Sequence, residues 1–92
     1  MSVWSLYIIR CKNNTLYTGV TTDVQRRFNE HQSGNYKSAK YLRGKGPLEL
    51  VYSTEIGNRS EACKAESQIK KLSRAEKDRL ISKEIQLQKI VK

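Results

Sequence analysis

The sequence predicts a small α+β domain built around a three-stranded sheet, with elements in the order β-β-α-(basic connector)-β-α-α. Three observations carry that expectation. Runs rich in β-branched and aromatic residues stand at 4–10, 16–20 and 48–53. Capped, amphipathic stretches lie between and after them. A chain of 92 residues has room for one hydrophobic core and no second folded unit. Residues 1–82 are therefore expected to form the single domain and 83–92 a C-terminal tail.

Trp4-Ser5-Leu6-Tyr7-Ile8-Ile9-Arg10 suits a first strand and Leu16-Tyr17-Thr18-Gly19-Val20 a second. The polar Lys12-Asn13-Asn14 stretch between them suits a reversal, so the two runs read as a hairpin. Thr22 and Gln25 have capping-box spacing and Gly34 can terminate the turns after them, which predicts a helix over 23–33. From Asn35 to Gly46 the chain carries Lys37, Lys40, Arg43 and Lys45 and no acidic residue. This is a basic connector with room for one helical turn. Pro47 opens the third strand run, Leu48-Glu49-Leu50-Val51-Tyr52-Ser53, at a first position that tolerates a missing N–H, and polar and glycine residues end it by Gly57. Asn58 or Ser60 can cap a helix running to about Leu72, and Ser73 with Glu76 forms a second capping box for a helix over 74–82. In the tail Ile85 and Leu87 alternate without a cap, leaving strand, helix and frayed end open.

Lys and Arg number 18 against 9 Asp and Glu, a formal net charge of +9. Such an excess favours polyanions, because each cation that neutralises a phosphate releases a condensed counterion, and it makes nucleic acid the expected partner. The longest strictly apolar run, Leu6 to Ile9, falls far short of the roughly 20 residues of a membrane-spanning helix, and the N-terminus lacks a signal pattern. A soluble, cytoplasmic protein is the expectation. Cys11, Cys63 and His31 give three candidate zinc ligands where a structural site wants four, so two free thiols in a reducing compartment are expected instead.

Polar residues in apolar positions single out the candidate site. On a wheel of about 100° per residue, Val24 and Phe28 define the buried stripe of the first helix. His31 falls almost at its centre, Arg27 on its shoulder and Arg26 on the opposite face. Taken singly, an arginine so placed often covers apolar surface with its stem, and a histidine so placed is often a satisfied core residue. On the penultimate helix, Ala62, Ala65, Ile69 and Leu72 define the stripe and Glu66 lies within it, whereas Glu61 is a first-turn glutamate favoured by the helix dipole. An unpaired carboxylate taken out of water costs several kcal/mol, so Glu66 needs a cation, a hydrogen-bond partner or a water-filled cleft. Arg27, in a buried pair between helices, and a metal ion are both candidates. Tyr7 and Tyr17 are the remaining polar groups of the hairpin.

In this order these residues resemble the GIY-YIG nuclease family, and its small stand-alone bacterial members in particular. Ser5-Leu6-Tyr7 matches the first motif and Tyr17-Thr18-Gly19 the second. Thr21 to His31, then Arg59-Ser60-Glu61-Ala62, Glu66 and Ile69-Lys70-Lys71-Leu72-Ser73 extend the match over roughly residues 4–80. The resemblance implies a three-stranded antiparallel sheet flanked by helices and hydrolysis of DNA phosphodiester bonds with a divalent metal, Mg²⁺ or Mn²⁺. It places the family's tyrosines on Tyr7 and Tyr17, its arginine on Arg27 and its metal-binding glutamate on Glu66, with His31 at a position often histidine or tyrosine. The chain departs from the pattern at Ser5, Leu6 and Thr18. Thr21 stands where some members carry a lysine, and Gln68 is what the chain offers for a late asparagine.

These assignments define roles. Glu66 would anchor the cation, Arg27 would hold the phosphate, and Tyr17 would orient and deprotonate the attacking water beside Tyr7. Lys37, Lys40, Arg43 and Lys45 would grip the nucleic-acid backbone. The alternative is a non-catalytic nucleic-acid-binding module on the same fold. DNA is the expected partner, with RNA open, and a protein partner could supply specificity that so short a chain does not. The two tyrosines also impose a geometric demand. A two-residue turn at Asn13-Asn14 would send Tyr7 and Tyr17 to opposite faces, so a shared site requires a three- or five-residue loop, or a bulge.

Overall fold

The computed structural model describes residues 3–33, 42 and 46–83. Its elements are β1 (Trp4–Arg10), β2 (Leu16–Thr21), α1 (Val24–Ser33), β3 (Glu49–Gly57), α2 (Arg59–Lys70) and α3 (Arg74–Ile81). The strands form one antiparallel sheet in the order β2-β1-β3, which puts the first strand in the centre. This is the α+β architecture the sequence implies.

Alternation along β1 divides the core into two layers. Leu6 and Ile8 pack with Ala65 and Ile69 of α2 and Leu80 of α3. Tyr7 and Ile9 pack with Cys11, Leu42 and Leu48, and against Val24 and Phe28 of α1. Helices thus cover both faces, which explains why four successive residues, Leu6 to Ile9, are all buried. Burying each of Leu6, Ile8 and Ile9 contributes roughly 1.5–3 kcal/mol.

The hairpin meets the demand set by the two tyrosines. Tyr7 pairs with Gly19 and Ile9 with Tyr17, so Tyr7, Ile9 and Tyr17 share a face. The odd-length loop from Cys11 to Thr15 produces this register. Within it Asn14 N–H donates to the Cys11 carbonyl at 2.9 Å, Cys11 N–H donates to the Thr15 carbonyl at 2.8 Å, and Asn14 takes the left-handed conformation at φ 67°. Asparagine tolerates that region better than most residues. Arg74 at the start of α3 hydrogen-bonds the Asn14 carbonyl and side chain, tying the loop to the helical layer.

Several boundaries differ from expectation. α1 is capped by Asp23, not by Thr22: the Asp23 carboxylate accepts from Arg26 N–H at 3.1 Å and its carbonyl from Arg27 N–H at 3.0 Å. Thr21 Oγ1 accepts from Asp23 N–H, which orients the capping residue. β3 begins at Glu49 and runs to Gly57, past Ser53, because its pairing with β1 continues through Glu55 opposite Ser5. Bulges between Trp4 and Ser5 and between Ile8 and Ile9 adjust the register along that pair. α2 stops at Lys70 rather than near Leu72, where tightened N–H bonds from Lys71 and Leu72 close the last turn and free Ser73 to cap α3. The Asn58–Glu61 and Ser73–Glu76 capping boxes are both complete. Glu61 therefore does more than meet a dipole, since its side chain accepts from Asn58 N–H at 3.0 Å. The basic connector with its expected helical turn, Gly34, and the tail beyond Lys83 lie outside the described residues, apart from Leu42, Gly46 and Pro47. Among the described residues no helix is long and apolar enough to cross a membrane. Cys11 is buried, Cys63 is exposed, and both are free.

Candidate active site

Tyr7 lies at the middle of the central strand and is 2 % exposed. Its ring extends across the neighbouring strand over Gly19, where an added Cβ would stand 2.5 Å from the hydroxyl oxygen and 2.7 Å from Cζ. The absence of a Cβ at Gly19 leaves the clearance in which the ring lies over β2. The hydroxyl oxygen lies 2.9 Å from His31 Nε2 on α1. Tyr17 completes a triangle of rings from three elements, with centroids 6.4 Å from Tyr7 and 5.6 Å, edge-on, from His31.

Arg27 stands one turn before His31, half-buried as its wheel position implies, while Arg26 is exposed. Its guanidinium pairs with Glu30 at 2.9 Å, and its charge acts on the Tyr7 hydroxyl. Glu66 belongs to the other helical layer. α2 packs against β2, the edge strand that the Tyr7 ring crosses, and the Glu66 charge acts on Tyr7 from there. The ion pair of Glu66 is with Lys70, at 3.2 Å on its own helix. Among the described residues Arg27 pairs with Glu30 (i to i+3) and Glu66 with Lys70 (i to i+4), where the sequence offers an Arg27–Glu66 pair between helices.

Burial dominates the electrostatics. It pushes the Tyr7 hydroxyl up to about 12, with Tyr17 and Glu66 adding to the rise and Arg27 opposing it by charge. Burial, reinforced by the Arg27 charge and opposed by Glu30, lowers His31 to about 4. At neutral pH Tyr7 is therefore a protonated phenol and His31 a neutral imidazole. Burial would lower Arg27, but its hydrogen bond to Glu30 and its interactions with Tyr7 leave it raised and permanently charged.

The donor set limits what metal chemistry is open to the site. Among the described residues no group of three or more His, Cys, Asp or Glu could cage an ion. Glu66 is a single half-buried carboxylate that already holds a cationic group, the Lys70 ammonium. Such a carboxylate fits a hard divalent cation whose other ligands are water and substrate phosphate oxygens.

Tyr7, Tyr17, His31 and Arg27 thus lie together and Glu66 acts on Tyr7 by charge from the other layer, while Lys37, Lys40, Arg43 and Lys45 lie outside the described residues. Reasoning from sequence missed Glu30 and Lys70 as partners, although the spacings from Arg27 and Glu66 are those of helix neighbours and carried the signal. It also left the role of Gly19 unexplained.

Comparison with known proteins agrees with the fold. Residues 3–79 match the GIY-YIG catalytic domain family. A UPF0213 protein of Cronobacter sakazakii is 55% identical over 85 residues, covering 92% of this chain and 87% of its own. The UPF0213 protein YhbQ of Escherichia coli is 54% identical over 82 residues, covering 89% and 80%. The solution NMR structure of a UPF0213 protein from Bacillus halodurans is similar at a TM-score of 0.56 and 45% identity, over 87% of this chain and 83% of that one. That of a protein from E. faecalis is similar at a TM-score of 0.61 and 34% identity, over 90% and 86%.

Proposed function

Because the chain belongs to the GIY-YIG catalytic domain family, we propose that it is a metal-dependent endonuclease that hydrolyses DNA phosphodiester bonds, with RNA open as a second substrate. The observation that supports this reading is the cluster of Tyr7, Tyr17 and neutral His31, with Arg27 one turn before His31 and the half-buried Glu66 acting on Tyr7 by charge.

Arg27, always charged and fork-shaped, holds phosphate oxygens and stabilises the extra negative charge of the transition state. Tyr17, half-buried at the edge strand, orients the attacking water and takes its proton. A free tyrosine ionises only near pH 10, so this step depends on neighbouring positive charge. Tyr7, kept protonated, donates a hydrogen bond within the site, and His31 fixes its hydroxyl. Glu66 is the residue that would hold Mg²⁺ or Mn²⁺, which when bound supplies charge stabilisation at the scissile phosphate. Lys37, Lys40, Arg43 and Lys45 grip the backbone, and substrate choice is left to a protein partner in the cytoplasm.

Single-stranded, flapped and branched DNA incubated with the protein in Mg²⁺, Mn²⁺ or EDTA tests this reading. Metal-dependent cleavage is expected, falling at least about 100-fold in Arg27→Ala and Glu66→Ala. Cleavage unchanged in both variants would remove the site from the reaction. Binding without metal-dependent cleavage would make the chain a non-catalytic nucleic-acid-binding module.

A further inference from the structure

Lys70 stands one turn after Glu66 on α2, and its ammonium lies 3.2 Å from Glu66 Oε2. The Glu66 side chain is 23% exposed and that of Lys70 57%, so the carboxylate is the more buried partner of the pair. A half-buried carboxylate needs a counter-ion, and here its own helix provides one. An ammonium and a divalent cation seated on one carboxylate repel each other strongly at such distances. We propose that Lys70 is a built-in competitor for the metal at Glu66: it neutralises the carboxylate in the metal-free protein, must be displaced when a divalent cation binds, and thereby sets the metal affinity of the site. The proposal rests on the reading of Glu66 as the metal anchor.

A purely helix-stabilising pair would not act this way, since its removal weakens the helix and leaves ion affinity alone. Lys71, the adjacent C-terminal cap of α2, supplies the control because it carries the same charge while the ion pair to Glu66 comes from Lys70.

Free Mn²⁺ is measured by EPR during titration of the wild type, Lys70→Met, Lys70→Arg, Lys71→Met and Glu66→Gln, at a physiological ionic strength that screens charges beyond about 8 Å. Thermal melts confirm that each variant is folded. Lys70→Met is expected to tighten Mn²⁺ binding roughly tenfold. Lys70→Arg should restore wild-type affinity, and Lys71→Met should change it less than about twofold. Equal Mn²⁺ affinity in Lys70→Met and wild type, or equal tightening in Lys71→Met, would overturn the role of Lys70 while leaving Glu66 as anchor. Mn²⁺ binding unchanged in Glu66→Gln would overturn the anchor itself and the competitor with it.

Discussion

At Gly19 an added methyl would meet the Tyr7 ring inside a packed layer, so Gly19→Ala must push the hydroxyl away from His31. Overpacking of this kind costs typically about 1–3 kcal/mol. Urea melts should show that loss, and cleavage should fall at least about tenfold because the displaced ring is part of the site. His31 gives a second test at the same scale. Its folded value of about 4 lies below the ordinary 6.5, so on acidification the unfolded chain takes up the proton first. The stability contributed by neutral His31 is fully present above about pH 6.5, is lost progressively between there and pH 4, and falls no further below. Urea melts at pH 7.5, 5.5 and 4 should show a decline of about 2–3 kcal/mol from this group, flattened in His31→Phe. The half-burial of Arg27 and the burial of His31 were legible in the wheel of one helix. The Glu30 and Lys70 pairings were not deduced, because a wheel fixes directions about one axis and leaves open which long side chains fold back along their own helix.

Elements were more legible than contacts, for reasons visible at their ends. The Ser73–Glu76 box gave the start of α3 to the residue, since the bonds that make it are local, whereas the choice between Asn58 and Ser60 left the start of α2 open until the Asn58–Glu61 box decided it. The end of β3 depends on its pairing with β1, a partner distant in sequence, and the strand runs beyond Ser53 as a result. Asp23 displaced Thr22 as cap because its carboxylate, rather than the Thr22 hydroxyl, reaches the Arg26 N–H. The hairpin loop gives the prediction proper to this scale. Surface loops usually tolerate length changes, yet deleting Asn13 would shorten the Cys11–Thr15 connection by one and turn Tyr17 to the face opposite Tyr7. The expected outcome is loss of cleavage out of proportion to that of Asn13→Ala, which keeps the length. Comparable activity in the two variants would show that the ring triangle is dispensable.

At the scale of the whole molecule the charge of +9 becomes a statement about salt. Nucleic-acid affinity should fall linearly on a log–log plot against salt concentration, and replacing Lys37, Lys40, Arg43 and Lys45 with Gln should reduce that slope by roughly 3 to 4 on duplex DNA if all four contact phosphates. A slope unaltered by those replacements would move the backbone grip elsewhere on the protein. The central strand gives the molecule another property. β1 is paired on both sides and covered on both faces, whereas α1 is fastened at its far end by the Gln32 amide, which exchanges hydrogen bonds of 3.0 and 3.2 Å with the Leu48 backbone. Amide hydrogen exchange should therefore be slowest along β1 and distinctly faster in α1. Tyr7 would then ride on the more persistent element, and Arg27 and His31 on a helix that opens before it. The site would come apart and reassemble many times within the lifetime of the folded sheet.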